Sequence, residues 1–240
     1  MKVLIVIVAM LLGLYSCYGV AIPSVNIHYK LTLTVDDNGK QYTSSSVVEV
    51  FRQDTTKVFG GSFGGYGGEY KGEAVAVDLG EKGVLFCLLK GVEGSAGVDY
   101  PLYIVMHAFP EHFEEFRNVT GVSVVDAMRK LDSIRQRPKA NMPFEKLPML
   151  VRFRDINDPE TVELVDPNDL EKSFGNGVKL VSATMEITDE PVTKGVEKWL
   201  PWLWEYRNKL FDGNTIMTGD AKNRLANNLG AGAFSTEIYK

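Results

Sequence analysis

The chain contains few of the residues that most often carry chemistry in proteins. Its 240 residues include two cysteines and three histidines. Cys17 lies in the apolar N-terminal segment, so cleavage or modification of that segment leaves Cys87 without a partner for an intramolecular disulfide. A small secreted scaffold held together by disulfides is therefore excluded, and the fold must rest on its hydrophobic core.

Positive charge is scarce as well. Lys and Arg number 26 against 31 Asp and Glu, which gives a net charge of −5. Binding to nucleic acid depends on clustered Lys and Arg that face the phosphates, so we expect no nucleic-acid partner. An anionic membrane surface would not attract the chain either. Any attachment to a membrane is therefore expected to come from the N-terminal segment.

The first 21 residues have the pattern of an export signal. Lys2 precedes an apolar stretch over residues 3–14, and a basic start followed by an apolar core is typical of such signals. Leu14-Tyr15-Ser16-Cys17 then resembles a bacterial lipobox, in which the Cys is lipidated and becomes the new N-terminus. Tyr15 is bulkier than the small residue usual at its position. We expect lipidation at Cys17.

Two other interpretations of this segment stay open. Signal peptidase could cleave after Ala21, because small residues stand at the −3 and −1 positions there, and the chain would then be periplasmic or secreted in soluble form. Residues 3–22 are also long enough, as a retained helix, to cross the ~30 Å hydrocarbon core of a bilayer.

Alternating and apolar patterns predict two hairpins. Residues 26–35 alternate polar and apolar side chains, Asn38-Gly39 is a preferred pair for a tight turn, and residues 42–51 return as a second strand. Residues 73–79 and 84–89 form a similar pattern around a Gly-containing turn. The latter segment is apolar on both faces, which predicts a central buried strand with Cys87 as a packing residue.

The remaining patterns complete an α+β fold. A helix is predicted over residues 123–137, because Ser123 is a good N-cap and apolar residues follow at steps of three and four. Further strands are expected at 148–153, 162–165 and 178–188. We expect a mostly antiparallel sheet built from hairpins, with the helix packed on it. Residues 22–240 would form a single domain with a polar C-terminal tail from about residue 212.

Two candidate catalytic or metal sites are weak. Ser62 lies in a G-x-S-x-G pattern, but glycines follow it where a nucleophile elbow needs a helix. His107 and His112 lie among Glu111, Glu114 and Glu115. Their spacing, with a proline between them, does not place both histidines on one helix face as metal ligands require. We expect no metal and no cofactor.

Two further clusters favour structural roles. Asp155, Asn157 and Asp158 suggest a calcium loop, but Pro159 occupies a ligand position, so we interpret them as turn formers. All three tryptophans lie in residues 199–204. Their position favours packing in the core or at its edge, and contact with a ligand or a membrane surface is the alternative.

Four segments, residues 72–89, 148–180, 186–203 and 223–237, together resemble a family of proteobacterial envelope proteins of unknown function. The resemblance implies export, a lipobox-like Cys and one domain. It implies no activity, cofactor or catalytic residue.

These observations predict an exported cell-envelope protein, anchored in the membrane through lipidated Cys17, with a non-catalytic binding or structural role and an envelope protein as a possible partner. The alternative is an exported hydrolase with its site at Ser62 or at the cluster around His107 and His112.

Overall fold

A computed structural model describes residues 21–56, 65–92, 97–115 and 123–239. Within these ranges the chain forms nine β-strands in two antiparallel sheets, together with three α-helices and several 3-10 turns. The predicted α+β class, dominated by antiparallel sheet, is confirmed.

The first sheet has five strands in the order β3-β2-β1-β9-β6. Its strands are β1 (Ser24–Asp37), β2 (Lys40–Asp54), β3 (Tyr66–Lys71), β6 (Lys139–Asn141) and β9 (Val178–Thr188). The predicted first hairpin is confirmed and is longer than expected, because β1 and β2 pair from Asp37 and Lys40 back to Ser24 and Gln53. Asn38 and Gly39 both have positive φ, at 52° and 92°, which is the geometry that makes Asn-Gly suitable for this turn.

The second sheet has four strands in the order β4-β5-β7-β8. Its strands are β4 (Val75–Asp78), β5 (Val84–Cys87), β7 (Leu150–Phe153) and β8 (Val162–Leu164). All four residues of β5 are buried, and β5 pairs with β4 on one side and with β7 on the other. The prediction that this segment is a central buried strand is confirmed.

Two hydrophobic cores explain why β5 is apolar on both faces. One core fills the space between the sheets and contains Val77 and Leu85 from the second sheet. The other core lies on the opposite face of the second sheet, where Phe86 and Phe153 pack against the C-terminal part of the chain. That part contributes buried residues from Val196 to Ile238. The four-stranded sheet is therefore a middle layer, covered by side chains on both faces.

The helices are short: α1 (Ile104–Ala108), α2 (Val124–Asp132) and α3 (Glu171–Phe174). Ser123 caps α2 as predicted, since its side chain accepts a hydrogen bond from the N–H of Asp126 at 3.2 Å. The helix ends five residues before the predicted boundary at 137. Residues before a proline disfavour helical backbone, and Arg137 instead turns back to donate to the Asp132 carbonyl at 2.9 Å. None of the described helices is long and apolar enough to span a bilayer.

Candidate functional site

The residues that the sequence analysis suggested as functional lie in different parts of the chain, and some of them lie outside the described residues. Cys17 and Ser62 lie outside the described residues. Cys87 is 1% exposed, and burial raises the pKa of its thiol well above the ordinary range because the thiolate would lose its solvation. A reactive cysteine needs the opposite environment, exposed and electropositive, so Cys87 is a packing residue.

The histidines do not assemble a metal site in the described part of the chain. The ring of His107 stacks on Tyr100 with centroids 5.8 Å apart. Nε2 of His112 lies 3.6 Å from Oε1 of Glu111, and Glu115 forms an ion pair with Lys130 instead. Among the described residues, no three His, Cys, Asp or Glu side chains come close enough to hold a metal ion.

The acidic loop after β7 consists of turns, as expected. Oδ1 of Asp155 accepts a hydrogen bond from the N–H of Asn157 at 2.9 Å, and Oδ1 of Asp158 accepts one from the N–H of Glu160 at 3.0 Å. Each carboxylate therefore satisfies a backbone donor two residues later, which is the geometry of an Asx turn.

The tryptophans divide between core and surface. Trp202 packs edge-on against Phe153 and Phe211 in the second core, and its indole N–H donates to the carbonyl of Ile156 at 2.7 Å. Trp204 is 46% exposed. Core packing is thus confirmed for Trp202.

A surface groove lies beside the outer strand of the second sheet. We define the β8 groove as the depression between β8 and the segments 144–150 and 165–173, with Val92 on one side; its volume is about 570 Å³. Two other clefts of the described surface have volumes of about 290 Å³ each. The volume of the β8 groove lies within the range of ligand pockets in proteins.

The floor and walls of the β8 groove are mainly aliphatic. Leu147 and Leu150 lie beneath the groove and are buried, whereas Val92 and Leu164 line it with 44% and 54% of their surface exposed. Single exposed aliphatic residues are common on protein surfaces, but two of them beside a cavity with buried aliphatic lining make the groove a candidate interaction site.

The rim of the β8 groove is acidic. Glu145, Asp166 and Asp169 lie along it and form no ion pair with any described residue, and Lys172 is the single cation among the lining residues. Glu163 also lines the groove, but Arg152 and Arg154 neutralise it, with Nε–Oε distances of 2.9 and 3.6 Å. The groove therefore combines an apolar floor with an excess of unneutralised negative charge.

Local sequence explains how the groove is held open. Asp166 and Asp169 are also turn formers, because Oδ1 of Asp166 accepts from the N–H of Asn168 at 2.9 Å and Oδ1 of Asp169 accepts from the N–H of Lys172 at 3.3 Å. These bonds fix the wall that follows β8. Sequence patterns did not reveal this site. Its only local signal was the adjacent apolar pair Leu164 and Val165, which a regular half-buried strand would not contain.

Another cleft of the described surface is lined by a buried carboxylate. Glu73 lines this cleft and is 3% exposed. Its Oε2 accepts a hydrogen bond from the N–H of Val196 at 2.8 Å, and its Oε1 accepts one from the hydroxyl of Ser235 at 2.9 Å. Burial raises the pKa of Glu73, and these two donors oppose that effect.

Perturbed carboxylates in clefts are candidates for general acids or bases. A general base must reach the proton that it removes, however, and both oxygens of Glu73 already accept from groups of the fold. Its backbone carbonyl also accepts from the hydroxyl of Ser46 at 2.7 Å. We therefore interpret Glu73 as a structural residue, because its hydrogen bonds link β2, Val196 and the C-terminal segment.

The fold and the site together define an α+β protein with two sheets and an apolar, acid-rimmed surface groove. Comparison of the chain with protein-family models, with curated proteins and with solved structures finds no match. The resemblance to proteobacterial envelope proteins therefore stays a prediction.

Proposed function

We propose that the chain is a non-catalytic binding protein of the cell envelope and that it binds its partner through the β8 groove. The observation that carries this proposal is that exposed Val92 and Leu164 line the same cavity as the buried aliphatic residues Leu147 and Leu150. Covering Val92 and Leu164 would remove apolar surface from water at a gain of roughly 25 cal/mol per Å².

The envelope location is proposed from the N-terminal sequence. Cys17 would carry the lipid anchor, and six residues separate it from the start of β1. The beginning of β1 is fixed to the fold, because Arg129 donates two hydrogen bonds to the carbonyl of Ser24 at 2.7 and 3.0 Å. Six residues span at most about 20 Å, so lipidation at Cys17 would hold the domain close to the bilayer.

Site-specific photocrosslinking tests the binding role. A benzophenone amino acid would replace Leu164 in the full chain, expressed in the cells from which it comes, and a matched variant would carry it at Ile216. Ile216 is 69% exposed but does not line the groove. We expect a discrete crosslinked product from position 164 and none from position 216. Equal labelling at both positions, or no product at either, would refute the proposal.

Mass spectrometry of the mature N-terminus tests the location. A diacyl or triacyl group on Cys17 supports anchoring, and a Cys17→Ala variant should then leave the membrane fraction. A mature chain that begins at Ile22 would replace the anchored form with a soluble exported one. An intact Met1 on a chain that stays in the cytoplasm would overturn the envelope assignment.

A further inference from the structure

We propose, on the basis of the binding function above, that the partner presents an extended peptide segment to the β8 groove. An aliphatic side chain of that segment would lie on the apolar floor, and Lys or Arg side chains next to it would meet the acidic rim. Three properties of the groove support this assignment: a strand edge that no described strand pairs with, the charge of its rim and the apolar character of its floor.

The edge of β8 offers backbone groups to an incoming chain. Leu164 lies opposite Val151 in the antiparallel register, and the N–H of Val165 donates to the carbonyl of Leu150 at 2.9 Å. Hydrogen-bonded and non-hydrogen-bonded pairs alternate along such a ladder, so the N–H and C=O of Leu164 point away from β7. The described residues supply no hydrogen-bond partner for either group. An extended segment could pair with both of them.

The available edge is short. The outward carbonyl of Val162 already accepts a hydrogen bond from the side chain of Asn223 at 2.8 Å, and the same amide donates to the carbonyl of Glu160 at 2.7 Å. Asn223 therefore closes the edge on one side of Leu164. Because one residue pair is not enough to hold a strand, the side chains of the segment must supply most of the affinity.

The negative charge of the rim favours some ligands of the β8 groove over others. Glu145, Asp166 and Asp169 outnumber Lys172 at the rim, and the whole chain carries a net charge of −5. A second copy of this chain would therefore meet repulsion, as would an anionic lipid headgroup. Complementary charge favours a basic segment, and it would also speed association at low ionic strength.

The floor selects the side chain that enters. Leu147, Leu150 and Val165 are buried aliphatic residues beneath the groove, and they provide no hydrogen-bonding side chain. A polar side chain placed there would lose its water without gaining a partner. Leu, Ile or Val in the incoming segment satisfies this surface, and alternation with Lys or Arg suits an extended backbone.

Selection from a phage-displayed library of random nine-residue peptides tests the assignment, because such a library covers basic, acidic and apolar segments alike. The full chain is the bait, and its Leu164→Asp variant is used for counter-selection; position 164 is half exposed, so the variant should fold. We expect the surviving peptides to combine Leu, Ile or Val with two or more Lys or Arg. Enrichment of acidic or purely polar peptides, or no peptide that depends on Leu164, would overturn the proposal.

Fluorescence anisotropy with the most enriched peptide then measures each contribution. Leu164→Asp should weaken binding by at least tenfold, and the double change Glu145→Gln and Asp169→Asn should weaken it several-fold, with a smaller salt dependence. Ile216→Asp is the matched control and should leave the affinity unchanged. Methylation of the peptide nitrogen that pairs with Leu164 should also weaken binding. An affinity that stays the same after all of these changes would contradict the proposal that the peptide binds in this groove.

The two proposals fail separately. A crosslink at position 164 to a partner that has no basic aliphatic segment would overturn the peptide assignment while leaving the binding function in place. Absence of any crosslink at position 164, together with a peptide that binds in vitro, would overturn the binding function in the cell.

Discussion

Oε2 of Glu73 accepts a 2.8 Å hydrogen bond from the backbone N–H of Val196, a residue 123 positions later in the chain. Oε1 of the same carboxylate accepts a hydrogen bond from the hydroxyl of Ser235, and the backbone carbonyl of Glu73 accepts one from the hydroxyl of Ser46. One buried residue thus connects the five-stranded sheet, through its backbone, with the C-terminal part of the chain, through its side chain.

Replacing Glu73 with Ala should destabilise the protein. The N–H of Val196 and the hydroxyl of Ser235 would lose their acceptor in a buried site, at a cost of about 1–3 kcal/mol. Glu73→Gln is the control, because its amide can still accept from Val196 and donate to Ser235. Chemical denaturation measures both variants. An Ala variant as stable as the Gln variant would show that these hydrogen bonds contribute little.

The stability difference between the native protein and Glu73→Gln should depend on pH. Burial raises the folded-state pKa of Glu73 above its ordinary value of 4.5. At a pH between the ordinary pKa and the folded-state pKa, the folded state therefore holds more protons than the unfolded state. Stability from this group is therefore present below pH 4.5 and is lost as pH rises through the folded pKa. Denaturation curves measured from about pH 4 to about pH 8 should show that the free energy of unfolding of the native protein falls relative to that of the Gln variant. The opposite slope would contradict this role.

Cys87 should be unreactive while the protein is folded. It is 1% exposed and its thiol pKa is raised by burial, so little thiolate is available to a reagent. In a Cys17→Ala variant, which leaves a single thiol, labelling with a maleimide should occur at the rate of unfolding and become fast in denaturant. Rapid labelling of the native protein would show that β5 is open to solvent.

The first hairpin turn should require glycine at position 39. Gly39 has a φ of +92° and open space around the position of a Cβ atom, so Gly39→Ala introduces backbone strain without a clash, at a cost of about 1–2 kcal/mol. Gly219→Ala is the matched control, since that position also has open space and lacks a positive φ. Thermal unfolding should separate the two variants. Equal melting temperatures would mean that the turn relaxes freely.

Several elements could be predicted because their signals are local. The alternation in β1, the Asn38-Gly39 turn and the Ser123 cap depend on residues that are neighbours in the chain. The end of α2 could not be placed, because Arg137 leaves the helix to pair with Asp189 and with the carbonyl of Asp132. Asp189 is distant in sequence, so no local pattern reveals this contact.

The candidate site was beyond the sequence patterns for a similar reason. Val92, Glu145, Leu164 and Asp169 come from separate segments, and only the arrangement of the second sheet brings them around one groove. The polar composition after residue 212 likewise does not reveal that Phe234 and Ile238 are buried in the second core. Burial there depends on partners such as Phe86 and Phe153, which lie far away in the chain.

The sequence by itself determined the α+β class and the two hairpins, because strand alternation and turn geometry are properties of adjacent residues. Only the tertiary structure decided which apolar side chains stay exposed. Leu164 and Val165 are adjacent and equally apolar, yet Leu164 is 54% exposed and Val165 is 2% exposed. Val165 packs in the core between the sheets, whereas Leu164 is the last residue of an outer strand and the described part of the chain leaves about half of its surface uncovered.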